Sequence, residues 1–308
     1  MRFMEGTTMI KLKNVSKKFQ DVPALHDITA SISEGEVFGL VGTNGAGKST
    51  LLRLAAGVLK QDSGEILIDG MPVWDNPESK AKICFIPDVG YFPVNATPLS
   101  MMKTWEIVYP EFREKRFLDF LKKAGLEERR RVHTFSKGMK KQLSLFLGIC
   151  SNTKYLLCDE TFDGLDPVIR QAVKGLLAAE ILDRDFVPVI ASHNLRELED
   201  ICDHVGLLHK GGLLLSRALD DMKFNMQKVQ VVLRDPLMEE ELKTKLDIIL
   251  SEKRGSILTI VARGTYQDVM EPIERMNPVF VENLPLTLEE IFITETEVAG
   301  YDAHSIRG

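Results

Sequence analysis

The start of the chain alternates short apolar runs with turns around one helix-like segment. The first run mixes Ile, Leu and Val with Lys in near alternation, which predicts an antiparallel strand with one exposed face. Residues 49–58 have helical spacing and follow a glycine-rich loop. An Asp69-Gly70 turn after the last run is typical of a hairpin. The predicted strands are residues 9–19, 24–32, 36–41 and 65–68.

The pattern then changes to helices and fully apolar strands. Between residues 98 and 150, apolar side chains recur at three- and four-residue steps, which predicts helices. The short apolar runs 155–158 and 186–190 predict strands on either side of a helix at 167–182, although Pro188 is unusual within a strand. Strands that alternate with helices indicate an α/β fold, in which helices cover a mostly parallel sheet.

A shift in composition near residues 220–227 predicts a domain boundary. We place a first domain at 1–222, and a small accessory α/β domain with its own core and a tail at 223–308. Two roles stay open for the accessory domain: a stabilising or dimer-supporting appendage, or a regulatory or partner-docking module. Its expected strands are 228–233, 257–262 and 278–281, and its expected helices are 236–252, 266–276 and 286–295.

Composition and charge narrow the class of protein. The chain has 308 residues, of which 44% are hydrophobic and 27% charged, which excludes wholesale disorder, a collagen-like repeat and a coiled-coil rod. Because 45 acidic residues outnumber 39 basic ones, no nucleic-acid partner is expected. No apolar run reaches the roughly 18 residues of a membrane span, and the start carries no signal-peptide core. We therefore expect a reduced, cytoplasmic protein whose four cysteines are structural thiols.

The strongest chemical signal is the glycine-rich loop before the first predicted helix. Its pattern, Gly-x-x-x-x-Gly-Lys-Ser/Thr, lets backbone N–H groups turn inward around a polyphosphate, and the following helix directs its positive N-terminal end at the same anion. Lys48 would reach the β- and γ-phosphates, and the Ser49 hydroxyl would bind Mg²⁺. The expected nucleotide-binding residues are Gly42, Asn44, Gly45, Ala46, Gly47, Lys48, Ser49 and Thr50.

A second signal is the apolar strand 155–158, which ends in two carboxylates. We expect Asp159 to hold Mg²⁺ through water, and Glu160 to project into the cleft and polarise the attacking water. A phosphate loop alone is shared by kinases, GTPases, helicases and transport ATPases. The acidic pair therefore narrows the choice toward nucleotide hydrolysis.

Three further segments resemble the motifs of a known family. Residues 135–139, Phe-Ser-Lys-Gly-Met, resemble its Leu-Ser-Gly-Gly-Gln signature, and residues 161–167 resemble its D-loop. Ser192-His193 ends the next predicted strand, as the switch histidine of the family does. With the two motifs above, in this order over residues 9–220, the chain resembles the nucleotide-binding subunit of an ABC transporter. The form of the signature and the accessory domain most resemble bacterial drug- and peptide-export ATPases of the bacitracin-resistance type.

The resemblance implies a P-loop NTPase fold of the ABC cassette type, with an antiparallel β subdomain and a helical subdomain at about residues 97–150. It also implies ATP and Mg²⁺ as ligands and catalytic roles for Glu160, His193 and Lys48. Two cassettes, as a homodimer or with a paired ATPase subunit, would bind head-to-tail around two ATP. Phe19 lies where the family places an aromatic under the adenine, with a core position as the alternative. The residues that would face the ATP of the second subunit are Ser136, Lys137, Gly138 and Met139, and Asp166 would belong to the D-loop.

The sequence departs from the family at three positions. Asp88, in a segment 85–88 that is expected to be a loop, stands where the family has a glutamine that contacts Mg²⁺ and couples to the membrane subunit. Asp88 can still approach a metal, but it is shorter and adds a negative charge. Lys137 replaces a glycine, and Met139 replaces the usual glutamine. Lys137 is expected either to add charge near phosphate or to point to solvent.

The leading hypothesis is an ATPase that powers a separate transmembrane permease. The protein would then be cytoplasmic and peripheral on the inner face of the cell membrane, and residues 88–100 with the helices that follow would dock the permease. One alternative is a stand-alone ABC ATPase that has no pore and acts in assembly. An unrelated P-loop kinase is a third alternative, but it would need no signature motif.

Overall fold

The chain forms two compact units, and the division between them falls after Ser216. The computed structural model describes residues 8–235 and 237–298. The predicted tail at 300–308 therefore lies outside the described residues. The composition shift places the boundary after residue 222, whereas the structure divides within a strand, Gly212–Ala218.

In the first unit, an antiparallel start is followed by strands that alternate with helices. In chain order the strands are β1 (Thr8–Phe19), β2 (Val22–Ser33), β3 (Phe38–Val41), β4 (Ser63–Ile68), β5 (Met71–Pro72), β6 (Ile83–Ile86), β7 (Tyr155–Asp159), β8 (Val187–Ser192), β9 (His204–His209) and β10 (Gly212–Ala218). The helices are α1 (Lys48–Ala55), α2 (Pro77–Ala81), α3 (Pro98–Val108), α4 (Glu114–Lys123), α5 (Lys137–Cys150), α6 (Pro167–Asp183) and α7 (Leu195–Glu199).

The antiparallel sheet has the strand order β2-β1-β4-β5. Its long strands β1 and β2 cover the predicted runs 9–19 and 24–32. The predicted hairpin after β4 is present, since Ile68 pairs with Met71 across Asp69 and Gly70. Both turn residues have positive φ, 49° and 78°, which the right-handed twist of a two-residue hairpin favours.

The second sheet brings the ends of several strands together at one edge. Its order is β10-β9-β3-β8-β7-β6, and the pairs from β9 to β6 are parallel. Every residue of β3, β7 and β8 is buried, as expected for strands covered on both faces. Because parallel strands end at the same edge, the glycine-rich loop, the acidic pair and Ser192-His193 all emerge side by side.

Pro188 lies inside β8, a central strand, without breaking the sheet. The preceding residue, Val187, donates its N–H to the carbonyl of Lys154 on the β7 side. Pairing of β8 with β3 begins only at Val189. Pro188 therefore stands before the β3 ladder starts, where its missing N–H removes no ladder hydrogen bond.

Three helices, α3, α4 and α5, fill the region that the sequence predicted to be helical. Thr97 begins α3 with a capping box, in which its hydroxyl accepts from the Ser100 N–H. Helix α4 buries Phe117, Phe120 and Leu121, which lie on one helical face. Within residues 8–235 and 237–298, no helix is both long and apolar enough to cross a bilayer.

The second unit is an antiparallel sheet with helices and a core of its own. Its sheet has the order β12-β13-β11-β14. The elements are α8 (Leu219–Phe224), β11 (Met226–Val232), α9 (Leu237–Lys245), β12 (Asp247–Arg254), β13 (Ile257–Arg263), α10 (Tyr266–Arg275), β14 (Phe280–Leu284) and α11 (Leu288–Val298). Its core includes Val229, Val231, Leu242, Leu258, Ile260, Val269 and Ile273.

The predicted helix at 236–252 is wrong in its second half. Helix α9 ends at Lys245, and the following residues form the edge strand β12, which pairs with β13. The β-branched residues Ile248 and Ile249 favour a strand, and Gly255, at φ 63°, allows the tight turn into β13. The apolar spacing Leu246-Ile249-Leu250 imitates a helix, so local pattern alone misled the prediction.

Candidate nucleotide-binding site

The loop between β3 and α1 requires glycine at two positions for different reasons. A Cβ on Gly42 would lie 2.4 Å from the carbonyl oxygen of Leu208, so the space itself excludes a side chain. Gly47 has φ of 105°, and a Cβ there would also approach the carbonyl oxygen of Ala24 to 2.7 Å. Both glycines therefore hold the loop tightly against neighbouring strands, with helix α1 starting at Lys48.

This loop forms one wall of a cavity of about 460 Å³. Phe19, at the end of β1, is 45% exposed and lies on its rim, which excludes the core position that was the alternative. The cavity brings together most of the residues expected to bind or act on nucleotide. Its lining includes Phe19, Asn44, Gly45, Ala46, Gly47, Lys48, Ser49, Thr50, Asp88, Lys137, Glu160 and His193.

Lys48 is buried beneath the loop and has three oxygen neighbours. Its Nζ donates to the carbonyl oxygen of Gly42 at 2.7 Å and to that of Thr43 at 3.2 Å. The same atom lies 3.3 Å from Glu160 Oε1. The ammonium group is therefore held at the base of the loop, where it would attract phosphate oxygens.

Ser49 and Asp159 meet across the junction of α1 and β7. The Ser49 hydroxyl donates to Asp159 Oδ1 at 2.9 Å. Burial raises the pKa of Asp159 above its usual range, and the Ser49 hydrogen bond opposes that rise. A buried carboxylate beside a hydroxyl provides hard oxygen ligands of the kind that Mg²⁺ prefers, so these two residues fit the metal implied by the motif.

Glu160 lies between a lysine and a histidine. Its Oε2 is 2.6 Å from His193 Nδ1 and also accepts from the His193 backbone N–H at 3.3 Å. Its backbone has φ of 50°, an uncommon conformation for glutamate, and its N–H donates to the Ala191 carbonyl at 2.9 Å. The neighbouring strands β7 and β8 thus aim the acid and the histidine at each other, beside Lys48.

Asp88 lines the nucleotide cavity and also forms an ion pair with a lysine. Its Oδ1 lies 3.3 Å from Nζ of Lys141, a buried residue in α5 that sequence reasoning missed. The expected loop at 85–88 is wrong for Phe85 and Ile86, which belong to β6 because their apolar run pairs with β7. The signal that could have found Lys141 is its place one helical turn after Lys137.

The sequence is similar to known transport proteins over most of its length. The family model described as ABC transporter matches residues 25–163. "ABC transporter ATP-binding protein YtrB" of Bacillus subtilis (strain 168) is 30% identical over 287 residues, which are 93% of this chain and 98% of that protein. The chain belongs to the ATP-binding proteins of ABC transporters. The "Bacitracin transport ATP-binding protein BcrA" of Bacillus licheniformis is 29% identical over 225 residues, covering 72% of this chain and 74% of that protein.

The fold of this ABC ATPase agrees with solved cassettes. A structure described as the ATP binding subunit of an ABC transporter superposes with a TM-score of 0.65 at 26% identity, and covers 70% of this chain and 92% of that chain. The predicted fold class, a P-loop NTPase of the ABC cassette type, is confirmed. The YtrB match extends into the second unit, because an alignment over 93% of the chain includes most of that unit.

The signature segment of this ABC ATPase opens helix α5. Ser136 caps the helix, and its hydroxyl accepts from the Met139 N–H at 3.2 Å. The helix begins at Lys137. Lys137 is largely exposed, lines the cavity of its own chain and lies 3.8 Å from Asp163. The described lining of that cavity does not include Ser136, Gly138 or Met139.

The D-loop ends where helix α6 starts. Asp166 caps this helix and accepts from the Ile169 N–H at 3.0 Å. Sequence reasoning missed Arg170, whose Nη2 donates to the Leu165 carbonyl at 3.3 Å and to buried Glu197 at 3.1 Å. Glu197 lies in α7, which starts two residues after His193. Arg170 therefore connects the D-loop to the segment that carries the histidine.

Proposed function

We propose that this ABC ATPase hydrolyses Mg-ATP in a head-to-tail dimer and drives export through a separate transmembrane permease. The observation that carries the proposal is the division of the site. The phosphate loop, Glu160 and His193 line one cavity, whereas Ser136, Gly138 and Met139 of the described chain lie outside it. A helix start with an exposed serine and backbone N–H groups is suited to a second nucleotide, so a second subunit completes each site.

The chemistry follows from the contacts around Glu160. Lys48 exchanges its contact with Glu160 for the β- and γ-phosphates, which frees the carboxylate to orient the attacking water and accept its proton. His193 then holds the γ-phosphate by a hydrogen bond. Ser49 and Asp159 hold Mg²⁺, which neutralises phosphate charge when it is bound. Phe19 offers an exposed ring for stacking on the adenine.

The dimer is tested with Glu160→Gln, which keeps the shape of the residue but removes its basic carboxylate. We expect the variant to bind ATP without hydrolysing it and to accumulate as a dimer in light scattering after size-exclusion chromatography. The matched control is Glu160→Gln combined with Lys48→Ala, which should stay monomeric with ATP. A Glu160→Gln protein that remains monomeric at saturating ATP would contradict the dimer in the isolated subunit.

The permease is expected to dock on the segment after Asp88. Here three large apolar side chains are exposed: Val89 by 81%, Tyr91 by 83% and Val94 by 81%. Of these, Val89 also lines a cavity of about 360 Å³ between this segment and α5. Exposed apolar side chains beside a charged site are typical of a protein contact, which supports docking on a permease at the inner face of the cell membrane.

Co-purification from membranes tests this docking surface. Tyr91→Asp should abolish recovery of a membrane-spanning protein with the tagged ATPase and leave ATP affinity unchanged. The matched control is Leu182→Asp, at a side chain of α6 that is 88% exposed and far along the chain from this surface. If the wild-type protein recovers no membrane-spanning partner, the stand-alone ABC ATPase becomes the better assignment.

A further inference from the structure

Helix α5 carries a buried ammonium group that the roles above do not use. Lys141 is only 5% exposed. A lysine so deeply buried is unfavourable unless its charge is matched and its N–H groups are hydrogen-bonded. Lys141 therefore needs partners, and it finds them in two other segments of the first unit.

One partner is the backbone of Glu160. Lys141 Nζ donates to the Glu160 carbonyl oxygen, while the N–H of Glu160 donates to Ala191. Both backbone polar groups of Glu160 are thus hydrogen-bonded to neighbours. Because Glu160 has a left-handed backbone at φ 50°, which is unfavourable without support, these two hydrogen bonds stabilise the conformation that directs its carboxylate at Lys48 and His193.

The other partners are carboxylates. Asp88 Oδ1 lies 3.3 Å from Lys141 Nζ, and Asp163 Oδ2 lies 3.9 Å away. Asp163 is also approached by the exposed Lys137 at 3.8 Å. Asp88 lines both the nucleotide cavity and the cavity beside the docking segment. Lys141 consequently joins the acid that acts on water to the residue at the start of the docking segment.

We propose that Lys141 is a positioning residue that orients Glu160 for hydrolysis and keeps the Asp88 carboxylate in an ion pair. The inference rests on the proposed role of Glu160. Two functions of the lysine are separable: it donates a hydrogen bond to the Glu160 carbonyl, and it balances the charge of Asp88. A neutral donor in place of Lys141 can keep the hydrogen bond to the Glu160 carbonyl. It leaves the Asp88 carboxylate unpaired unless Asp88 is made neutral as well.

Three variants separate these functions. Lys141→Met removes the donor and the charge, and should lower kcat about tenfold or more while KM for ATP changes less than about twofold. Lys141→Met with Asp88→Asn removes the unpaired carboxylate but does not restore the donor, so kcat should stay low. Lys141→Gln with Asp88→Asn restores a neutral donor and should raise kcat severalfold above the Met–Asn double variant, which carries the same change at Asp88. Lys140→Met, on the same helix, is the matched control and should behave as wild type.

Binding and folding are measured beside activity. Calorimetric titration with ATP should give Lys141→Met near wild-type affinity and the two double variants equal affinities, and thermal unfolding should show whether each variant is folded. If Lys141→Met unfolds, the two double variants decide, since neither buries an unpaired charge. A wild-type kcat in Lys141→Met, or full recovery in the Met–Asn double variant, would overturn the positioning role. Glu160→Gln separates the two proposals: if this variant still hydrolyses ATP, the proposed role of Glu160 is wrong, whatever the Lys141 variants show.

Discussion

Asp159 gives a prediction in which stability and function move in opposite directions. Burial raises the pKa of this carboxyl, which means that the folded protein without metal disfavours its charged form. A carboxyl whose folded-state pKa is raised costs no stability below its unfolded pKa of 3.8. It lowers the free energy of unfolding as the pH rises above that value. At neutral pH the charge of Asp159 therefore destabilises the metal-free protein.

Asp159→Asn removes this charge but keeps an oxygen that can accept from Ser49 at the same place. A rise of one in the folded-state pKa of a carboxyl lowers stability at neutral pH by about 1.4 kcal/mol, which a neutral amide would recover. In a unit of roughly 200 residues, 1 kcal/mol corresponds to a Tm increase of about 2–4 °C. We expect an increase of this size in EDTA, together with loss of ATP hydrolysis.

The assay is thermal unfolding followed by circular dichroism at neutral pH, with and without Mg-ATP. Ligand at 100 times its dissociation constant stabilises the wild type by about 2.7 kcal/mol, and Asp159→Asn should lose most of that gain. Asp62→Asn is the matched control, because its hydrogen bond from Lys17 lowers the pKa of Asp62 and its charge is favourable. An Asp159→Asn protein with a lower Tm than wild type in EDTA would refute the reasoning.

Three further changes have expected outcomes of different kinds. Lys48→Ala should abolish ATP binding in calorimetric titration, because it removes the ammonium held at the base of the loop, and retained affinity would contradict its phosphate role. His193→Ala should lower kcat far more than it raises KM, since the histidine contacts the Glu160 carboxylate that we propose to act on water, and an equal effect on both would argue for a binding role. Glu180→Gln should lower the free energy of unfolding by about 3 kcal/mol in urea titration, because it neutralises a buried carboxylate that pairs with partly buried guanidinium groups; a change below about 1 kcal/mol would indicate that solvent already screens them. The guanidinium groups around Glu180 belong to Arg113, Arg116 and Arg184.

The parts of the site that the sequence predicts most directly are those set by residues close together in the chain. The phosphate loop needs glycines at defined positions before a helix, and Asp159 and Glu160 stand at the end of a short apolar run. Each motif can therefore be recognised from a few consecutive residues. The parallel order of strands then brings them together without further information. The helix predicted at 236–252 fails after Lys245, because the choice between helix and strand there depends on pairing with β13, which lies outside the local pattern.

Lys141 shows the same limit within the site. Its contacts reach Asp88 and Glu160, which are 53 and 19 positions away in the chain. Helical spacing puts Lys141 one turn after Lys137, but it does not show that Lys141 is buried while Lys137 is exposed. Only the packing of α5 against the ends of β6 and β7 distinguishes the two. The substitution of Asp88 for the glutamine of the family was visible in the sequence, but its counter-charge was not.

The contact between Lys48 and Glu160 has a consequence for how nucleotide affinity should be interpreted. Without nucleotide, the lysine already has an anionic neighbour 3.3 Å away, supplied by the protein itself. An incoming phosphate therefore competes with an internal carboxylate, and the measured affinity is the difference between two electrostatic attractions. Neutralising the internal competitor should by itself tighten binding. Part of the nucleotide retention in Glu160→Gln would then arise because Lys48 no longer has a competing carboxylate, and not because hydrolysis is blocked. A Kd for non-hydrolysable ATP separates the two contributions.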